Sequence, residues 1–126
     1  MKLLSNNIGS ESILDSIKKL IGIEDTETYF DSDIVTGVNS AFSSLNQIGI
    51  GPDDGFSISD NTKVWNDYLT DVRTLELVKS YVHLKTKLLF DPPSSSSIVE
   101  IINKEISEFE WRLNIIKTTK QEVQNG

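Results

Sequence analysis

The feature that most constrains the fold is a double proline, Pro92-Pro93, set between two long apolar segments. A proline disfavours helical geometry at the preceding Asp91, and two in a row remove two backbone donors, so a helix must end before them. Behind the prolines, Ser97 and Glu100 stand at the spacing of a capping box, which predicts that a second helix begins at about Ile98. A chain organised around such a break is expected to fold from helices.

Apolar residues recur at helical spacing through most of the 126-residue chain. Steps of three and four predict α-helices over about residues 13–21, 30–48, 74–90 and 98–117, with a short helix near residues 64–69. Glycines follow the first two patterns, in the usual position for helix ends. The third helix is apolar around nearly its whole circumference, so we predict that it lies at the centre of the bundle.

One stretch, residues 53–61, shows extended alternation, carried by Phe56 and Ile58. Two or three such residues do not make a stable sheet, so we predict a structured loop that these two side chains pin. Gly37 costs about 1 kcal/mol relative to alanine inside a helix, which suggests close packing there against a neighbouring helix. The predicted fold class is all-α: a small bundle of about four main helices, one short helix and a structured loop.

The fourth helix has two kinds of apolar residue. Its seam, at steps of three and four, consists of Ile98, Ile102, Ile106, Phe109, Leu113 and Ile116. Trp111 and Ile115 lie off that seam, on a different side of the helix. The chain after Thr118 is polar and has no seam, so we predict a helical domain over residues 1–118 and a tail over residues 119–126 that is loose until a partner orders it.

Composition narrows the function classes. The chain carries 19 acidic and 12 basic side chains, a formal net charge of −7, which argues against a protein that grips nucleic-acid phosphates. It has no cysteine, which excludes disulfides and thiolate metal sites. Its apolar runs are too short to span a membrane and its first residues too polar for a signal peptide, so we expect a protein of the cytosol.

The residues that could do chemistry do not form a known catalytic pattern. Asp53, Asp54 and Asp60 suggest calcium, but the segment lacks the ligand spacing, the central glycine and the closing glutamate of an EF-hand. His83 is the only histidine, and no nucleophile motif accompanies it. The glycines before Pro52 close a helix, whereas a phosphate-binding loop opens one. We therefore predict no catalytic, cofactor-binding or metal-binding residues.

Four aromatic residues stand out: Trp65, Tyr68, Phe90 and Trp111. Core filling is the ordinary role of such side chains and is the prediction for Phe90. Tryptophan is also enriched at binding hot spots, and Trp111 departs from the seam of its helix. For Trp111, core filling and a contact with another subunit or partner both stay open.

The order of these motifs resembles that of a known family. Three segments carry the likeness: Leu45-Asn46-Gln47 at the end of the second helix, Phe90-Asp91-Pro92-Pro93 at the break, and Glu110-Trp111-Arg112-Leu113 in the fourth helix. Over roughly residues 13–114, the chain resembles the small head–tail connector, or adaptor, proteins of long-tailed bacteriophages.

The resemblance implies an all-α structural protein with no catalytic activity and no cofactor. Such connectors form a ring, generally of twelve subunits, beneath the portal protein at the capsid vertex. The ring extends the DNA channel, through which DNA passes without specific binding, and offers a platform for a stopper, head-closure or tail protein. The protein would therefore lie in the neck of the virion, and in the host cytoplasm during assembly, without contact to a membrane.

The resemblance also implies that the C-terminal segment, here residues 116–126, docks on the portal. We combine this segment with the aromatic residues and with the off-seam side of the fourth helix into one predicted subunit or partner interface. Its members are Trp65, Tyr68, Trp111, Ile115, Ile116, Lys117, Lys120 and Val123.

Two other hypotheses stay open at this point. A compact helical core with exposed aromatic residues also suits a small regulatory or protein-binding module of phage origin that acts in the host cytosol. A hydrolase or metal enzyme would rest on Asp53, Asp54 and His83 alone.

Overall fold

Four α-helices and two turns of 3-10 helix form the regular structure of residues 7–125, which the computed structural model describes, with side chains described through Thr118. The helices are α1 (Ile13–Ile21), α2 (Asp31–Gln47), α3 (Val72–Phe90) and α4 (Ser96–Asn125), and the 3-10 turns are Ile8–Ser10 and Trp65–Asp67. Strands are absent from the described range, in which Ser12 and Val64 share one isolated bridge. The predicted all-α bundle is confirmed.

The ends of α1 and α3 follow local sequence signals. The Ser12 side chain caps α1 by accepting the backbone N–H of Asp15 at 3.2 Å, and Gly22 ends the helix with a φ of 93°. The Asp71 side chain caps α3 by accepting the backbone N–H of Thr74 at 3.3 Å. Each cap satisfies a backbone donor that has no partner within its own helix.

The bounds of α4 differ from the prediction at both ends. Ser95, rather than Ser97, caps the helix: its Oγ accepts the N–H of Ile98 at 3.4 Å. A run of serines offers several chemically equivalent caps, so the first helical residue cannot be chosen from the run itself. The helix continues to Asn125 instead of ending near residue 117. The division into a domain and a tail stays a prediction, and residues 1–6 and 126 lie outside the described range.

The helix α3 lies at the centre of the bundle, as its apolar circumference predicts, because α1, α2 and α4 all pack against it. It runs antiparallel to α2, so that Phe30 before α2 meets Phe90 at the end of α3, with ring centroids 5.3 Å apart. The turn at Pro92-Pro93 then reverses the chain and lays α4 along α3. The buried side chains of α3 include Leu75, Val78, Tyr81 and Val82.

Residues 53–61 form the predicted structured loop. Phe56 stacks into an aromatic cluster, its ring centroid 5.0 Å from Phe42 and 5.1 Å from Tyr68. Asn39 on α2 accepts the Ile58 N–H at 2.8 Å and donates to the Ile58 carbonyl at 2.9 Å. Ile58 itself is buried, so both predicted anchors hold the loop against α2.

Gly37 allows α2 to approach α3 closely. A Cβ at this position would lie 3.0 Å from Cγ2 and 3.3 Å from Cα of Thr86 on α3. The second of these atoms belongs to the backbone, which cannot rotate away. The close packing predicted from a glycine inside a helix is therefore confirmed.

We expect Gly37→Ala to lower the free energy of unfolding by about 1 kcal/mol. Overpacking costs about 1–3 kcal/mol and outweighs the roughly 1 kcal/mol that alanine gains in helix propensity. Urea unfolding measures the difference, with Ser40→Ala on the exposed side of α2 as the control, expected within about 0.5 kcal/mol of the parent protein. Equal or higher stability of Gly37→Ala would contradict the tight α2–α3 contact.

Candidate interaction surface

One face of α4 attaches the helix to the bundle. Ile102, Ile106 and Leu113 are buried on this face, and α3 is the helix it packs against. The Tyr81 hydroxyl of α3 donates a hydrogen bond to Oε2 of Glu110 at 2.7 Å. Burial raises the pKa of Tyr81, and the Glu110 carboxylate raises it further, so the phenol keeps the proton that it donates.

The opposite face of α4 is exposed. Residues at alternating steps of four and three stay on one side of an α-helix. Six exposed residues with these steps form a row that we call the outer stripe: Ser97, Ile101, Lys104, Glu108, Trp111 and Ile115. The exposed fractions of Ile101, Trp111 and Ile115 are 56%, 63% and 42%. Isolated exposed apolar residues are ordinary on soluble proteins, whereas a row of them on one helix face is typical of a contact surface.

A second exposed apolar surface lies at the end of the bundle where α2 begins and α3 ends. We call it the end patch, and it consists of Tyr29, Phe30, Leu89 and Phe90. The Phe30 ring is in edge contact with both Tyr29 and Phe90, at centroid distances of 4.8 and 5.3 Å. Tyr29 is 82% exposed and Leu89 61%.

Sequence reasoning did not predict the end patch. Phe90, predicted to fill the core, packs against the core but stays partly exposed. The available signal was the adjacent pair Tyr29-Phe30, two aromatic residues next to an otherwise acidic connection.

Two of the predicted interface residues, Trp65 and Tyr68, lie in the core of the subunit. Trp65 is 0% exposed, and its Nε1–H donates to Oγ of Ser16 at 2.9 Å. Tyr68 donates to the carbonyl of Ile50 at 3.2 Å, and burial raises its pKa. The short helix predicted around them is a single 3-10 turn, Trp65–Asp67.

The remaining predicted interface residues lie on α4. Trp111 and Ile115 belong to the outer stripe, whereas Ile116 and Lys117 are partly buried. The Lys117 side chain lies over Gly49, where a Cβ would come within 2.8 Å of its Cε and Nζ. The side chains of Lys120 and Val123 lie outside the described residues.

The polar groups considered for chemistry have structural partners. Asp60 accepts hydrogen bonds from the hydroxyl and the backbone N–H of Thr62, which lower the pKa of its carboxyl group. Burial lowers the pKa of His83, and the nearby Lys87 ammonium lowers it further, which favours the neutral imidazole. Among the residues described, no group of three or more histidine, aspartate or glutamate side chains is placed to hold a metal ion. None of the helices in the same range is long and apolar enough to cross a membrane.

The side chains considered for catalysis or metal binding make structural contacts instead, and the helical bundle exposes apolar side chains on two surfaces. Such a bundle is typical of a protein that acts by binding other proteins. The profile of the family described as phage connector protein matches residues 13–120, and the chain belongs to that family. Neither a curated protein nor a solved structure matches it. The family indicates a structural role in the phage neck, in contact with other head or tail proteins, and families of this structural kind are typically non-enzymatic.

Proposed function

We propose that the protein forms a ring beneath the portal, of the twelve subunits that connectors generally use. In this role it extends the DNA channel and links the capsid to a stopper, head-closure or tail protein. The observation that carries the proposal is the outer stripe: a phage connector chain presents three exposed apolar residues, Ile101, Trp111 and Ile115, on the helix face turned away from its own core.

A ring needs two different complementary surfaces on each subunit, because every contact around the ring joins one face to another. The outer stripe and the end patch meet this requirement. Trp111 supplies a large aromatic anchor of the kind that dominates interface energies. The end patch supplies two further rings and Leu89, against which such an anchor can pack. We therefore assign the outer stripe of one subunit to the end patch of the next.

The charge of the chain suits a DNA channel. A formal net charge of −7 repels the phosphate backbone, so DNA can slide past the ring without adhering to it. A protein surface that binds the phosphates of a nucleic acid carries positive charge. The protein would be present in the host cytoplasm during virion assembly and would act in the neck of the finished virion.

The C-terminal part of α4 supports the assignment of a portal contact. The helix continues from the last described side chain, Thr118, to Asn125. A helix end of this length can lay one face into a groove on a partner. We assign this segment to the portal, on the side of the ring that faces the capsid.

The test uses purified portal protein of the same phage mixed with the full chain, imaged by negative-stain electron microscopy. We expect portals that carry an additional ring at one end, and class averages that give its subunit number. A protein that does not associate with portal and is missing from purified virions would overturn the proposal. Trp111→Lys is expected to reduce ring formation because it places a charge in the subunit contact.

Truncation after Thr118 is expected to leave the fold intact and to weaken attachment to the portal. Among the side chains described, which extend to Thr118, the last buried residue of the seam that holds α4 to α3 is Leu113. The melting temperature measures the first expectation, and co-sedimentation with portal measures the second. A melting temperature lower by more than a few degrees, or unchanged portal binding, would contradict this prediction.

A further inference from the structure

We propose that the free protein forms a two-fold symmetric, antiparallel dimer in which the outer stripe of one copy packs on the outer stripe of a second. This proposal concerns the protein before it meets any other neck component, and the dimer itself does not rest on the proposed function. Its argument comes from the spacing of the stripe and the order of charges along it.

The spacing of the outer stripe reads the same in both directions. From Ser97 to Ile115 the steps are four, three, four, three and four. When two copies are related by a two-fold axis, residue i of one faces residue j of the other, and j faces i. An antiparallel pair of these stripes therefore brings every stripe residue against a stripe residue, over a contact about 27 Å long at 1.5 Å per residue.

In this register, unlike charges meet at the centre and apolar side chains meet on either side. Lys104 faces Glu108 of the second copy, and this pair occurs twice because of the symmetry. Ile101 faces Trp111, also twice, and Ile115 faces Ser97 at each end. All of these stripe side chains are exposed in the single subunit, where Glu108 Oε1 lies 4.0 Å from Arg112 Nη1 in a solvent-exposed pair on the same helix.

Other arrangements of the same stripe are less favourable. A parallel pair in register places Lys104 on Lys104 and Glu108 on Glu108, which juxtaposes like charges in the two central layers. An antiparallel pair shifted by seven residues places Lys104 on Ile115 and Glu108 on Trp111, which removes charges from water without opposite partners. The charge order thus selects one of the three arrangements.

The dimer is expected to be weak. A single pair of helices of this length gives a contact near the lower limit of specific interfaces, about 1,200 Å² in total. The two copies of Glu105 also flank the symmetry axis and oppose the association. We expect a dissociation constant in the micromolar range.

A weak dimer would matter for assembly under the proposed function. Neighbours in a ring make contacts between unlike surfaces, whereas this dimer uses the same surface twice and closes on itself. If the outer stripe also forms the ring contact, a subunit cannot make both at once. The dimer would then cover the outer stripe and prevent free subunits from forming rings until a partner displaces the second copy.

Sedimentation equilibrium of the full chain over a wide concentration range tests the dimer, with two charge reversals, Lys104→Glu and Glu108→Lys. We expect each variant alone to dimerise at least about tenfold more weakly, because each replaces two attractive pairs by two repulsive ones. Equimolar mixing of the two variants restores both attractive pairs in the mixed dimer, so we expect its affinity to return to near that of the parent protein. Asn103→Glu, an exposed charge change off the stripe, is the control and should leave dimerisation unchanged.

A disulfide cross-link shows directly which residues of the two copies face each other. The chain has no cysteine of its own, so only the introduced cysteines can react. A mixture of Ser97→Cys and Ile115→Cys is expected to form the mixed disulfide under mild oxidation, far more than either variant alone. Thermal unfolding of each variant confirms that it is folded.

Several results would overturn the proposal: a monomer at every concentration, a dimer that the charge reversals do not affect, or charge-reversal variants that stay apart when mixed. Because no portal is present, a failure here leaves the proposed function standing, and a failure of portal binding leaves the dimer standing.

Discussion

Replacing Trp65 with alanine is expected to lower the free energy of unfolding by about 3–5 kcal/mol, the range found for large aromatic side chains removed from a core. Trp65 is fully buried, and its indole N–H is bonded to Ser16 on α1. Its ring also lies 6.2 Å from that of Phe42 on α2. Loss of the side chain therefore removes a contact that joins the turn Trp65–Asp67 to α1 and α2. Domains of this size are stable by only about 5–15 kcal/mol, so the variant should be marginal.

Trp111 provides a control within the same chain. Trp111→Ala removes the same side chain from an exposed helix position and is expected to change stability by less than about 0.5 kcal/mol. Self-association and ring formation should weaken instead. Urea unfolding separates the two variants, and Trp65→Phe, which keeps most of the volume, should fall between them. Similar stability losses for Trp65→Ala and Trp111→Ala would show that the two tryptophans are not divided between core and surface.

Replacing Lys18 with methionine is expected to cost about 2–4 kcal/mol of stability, although it exchanges a charged side chain for an apolar one of similar length. Lys18 is 1% exposed. Its ammonium group donates to the carbonyls of Glu27 and Asp25 at 2.6 and 3.2 Å and pairs with Asp31 Oδ1 at 2.8 Å. These partners belong to the acidic connection after α1 and to the first turn of α2. Without the ammonium, two carbonyls and one carboxylate lose their counterpart.

The adjacent Lys19 supplies the matched control, because it is exposed on the same helix. Lys19→Met is expected to stay within about 0.5 kcal/mol of the parent protein. Hydrogen exchange adds a local readout: amides of residues 23–34 should lose protection in Lys18→Met more than those of α3. If Lys18→Met unfolds at the same urea concentration as Lys19→Met, the buried ammonium does not organise this connection.

Lys18 also bears on the proposed ring contact, because the connection that it organises leads into Tyr29 and Phe30 of the end patch. An ordered connection holds these two rings in a fixed position at the start of α2, which a ring contact requires. The outer stripe needs no such support, since it stands on a continuous helix. Variants of Lys18 should therefore weaken ring formation more than they weaken the dimer through the outer stripe.

The prediction from sequence succeeded where structure depends on neighbours along the chain. The break at Pro92-Pro93 ends α3 and turns the chain into α4 because proline acts on its own backbone and that of the preceding residue. Ser12 and Gly22 bound α1 for similarly local reasons. The departure of Trp111 from the seam of its helix was visible as well, because helical periodicity is a property of consecutive residues.

Prediction was least successful for burial, which depends on segments far apart in the chain. The apolar pattern of α1 included Leu20, which is 45% exposed, whereas Lys18 on the same helix is buried. The acidic connection folds around Lys18 and supplies two carbonyl oxygens, and Asp31 in the first turn of α2 supplies a carboxylate oxygen. This arrangement has no signature in the spacing of α1 itself. The end patch escaped prediction for the same reason, since it joins the start of α2 to the end of α3.

Three properties of this protein can be read from its amino-acid sequence: it is a bundle of helices, the helices break where they do, and the last helix has two different faces. Those properties follow from dihedral preferences, caps and periodicity, all of which act within a few residues. The burial of Trp65 and Tyr68 became visible only in the folded subunit, because α1, α2 and the loop close around these two side chains. Nothing within the described subunit covers Trp111.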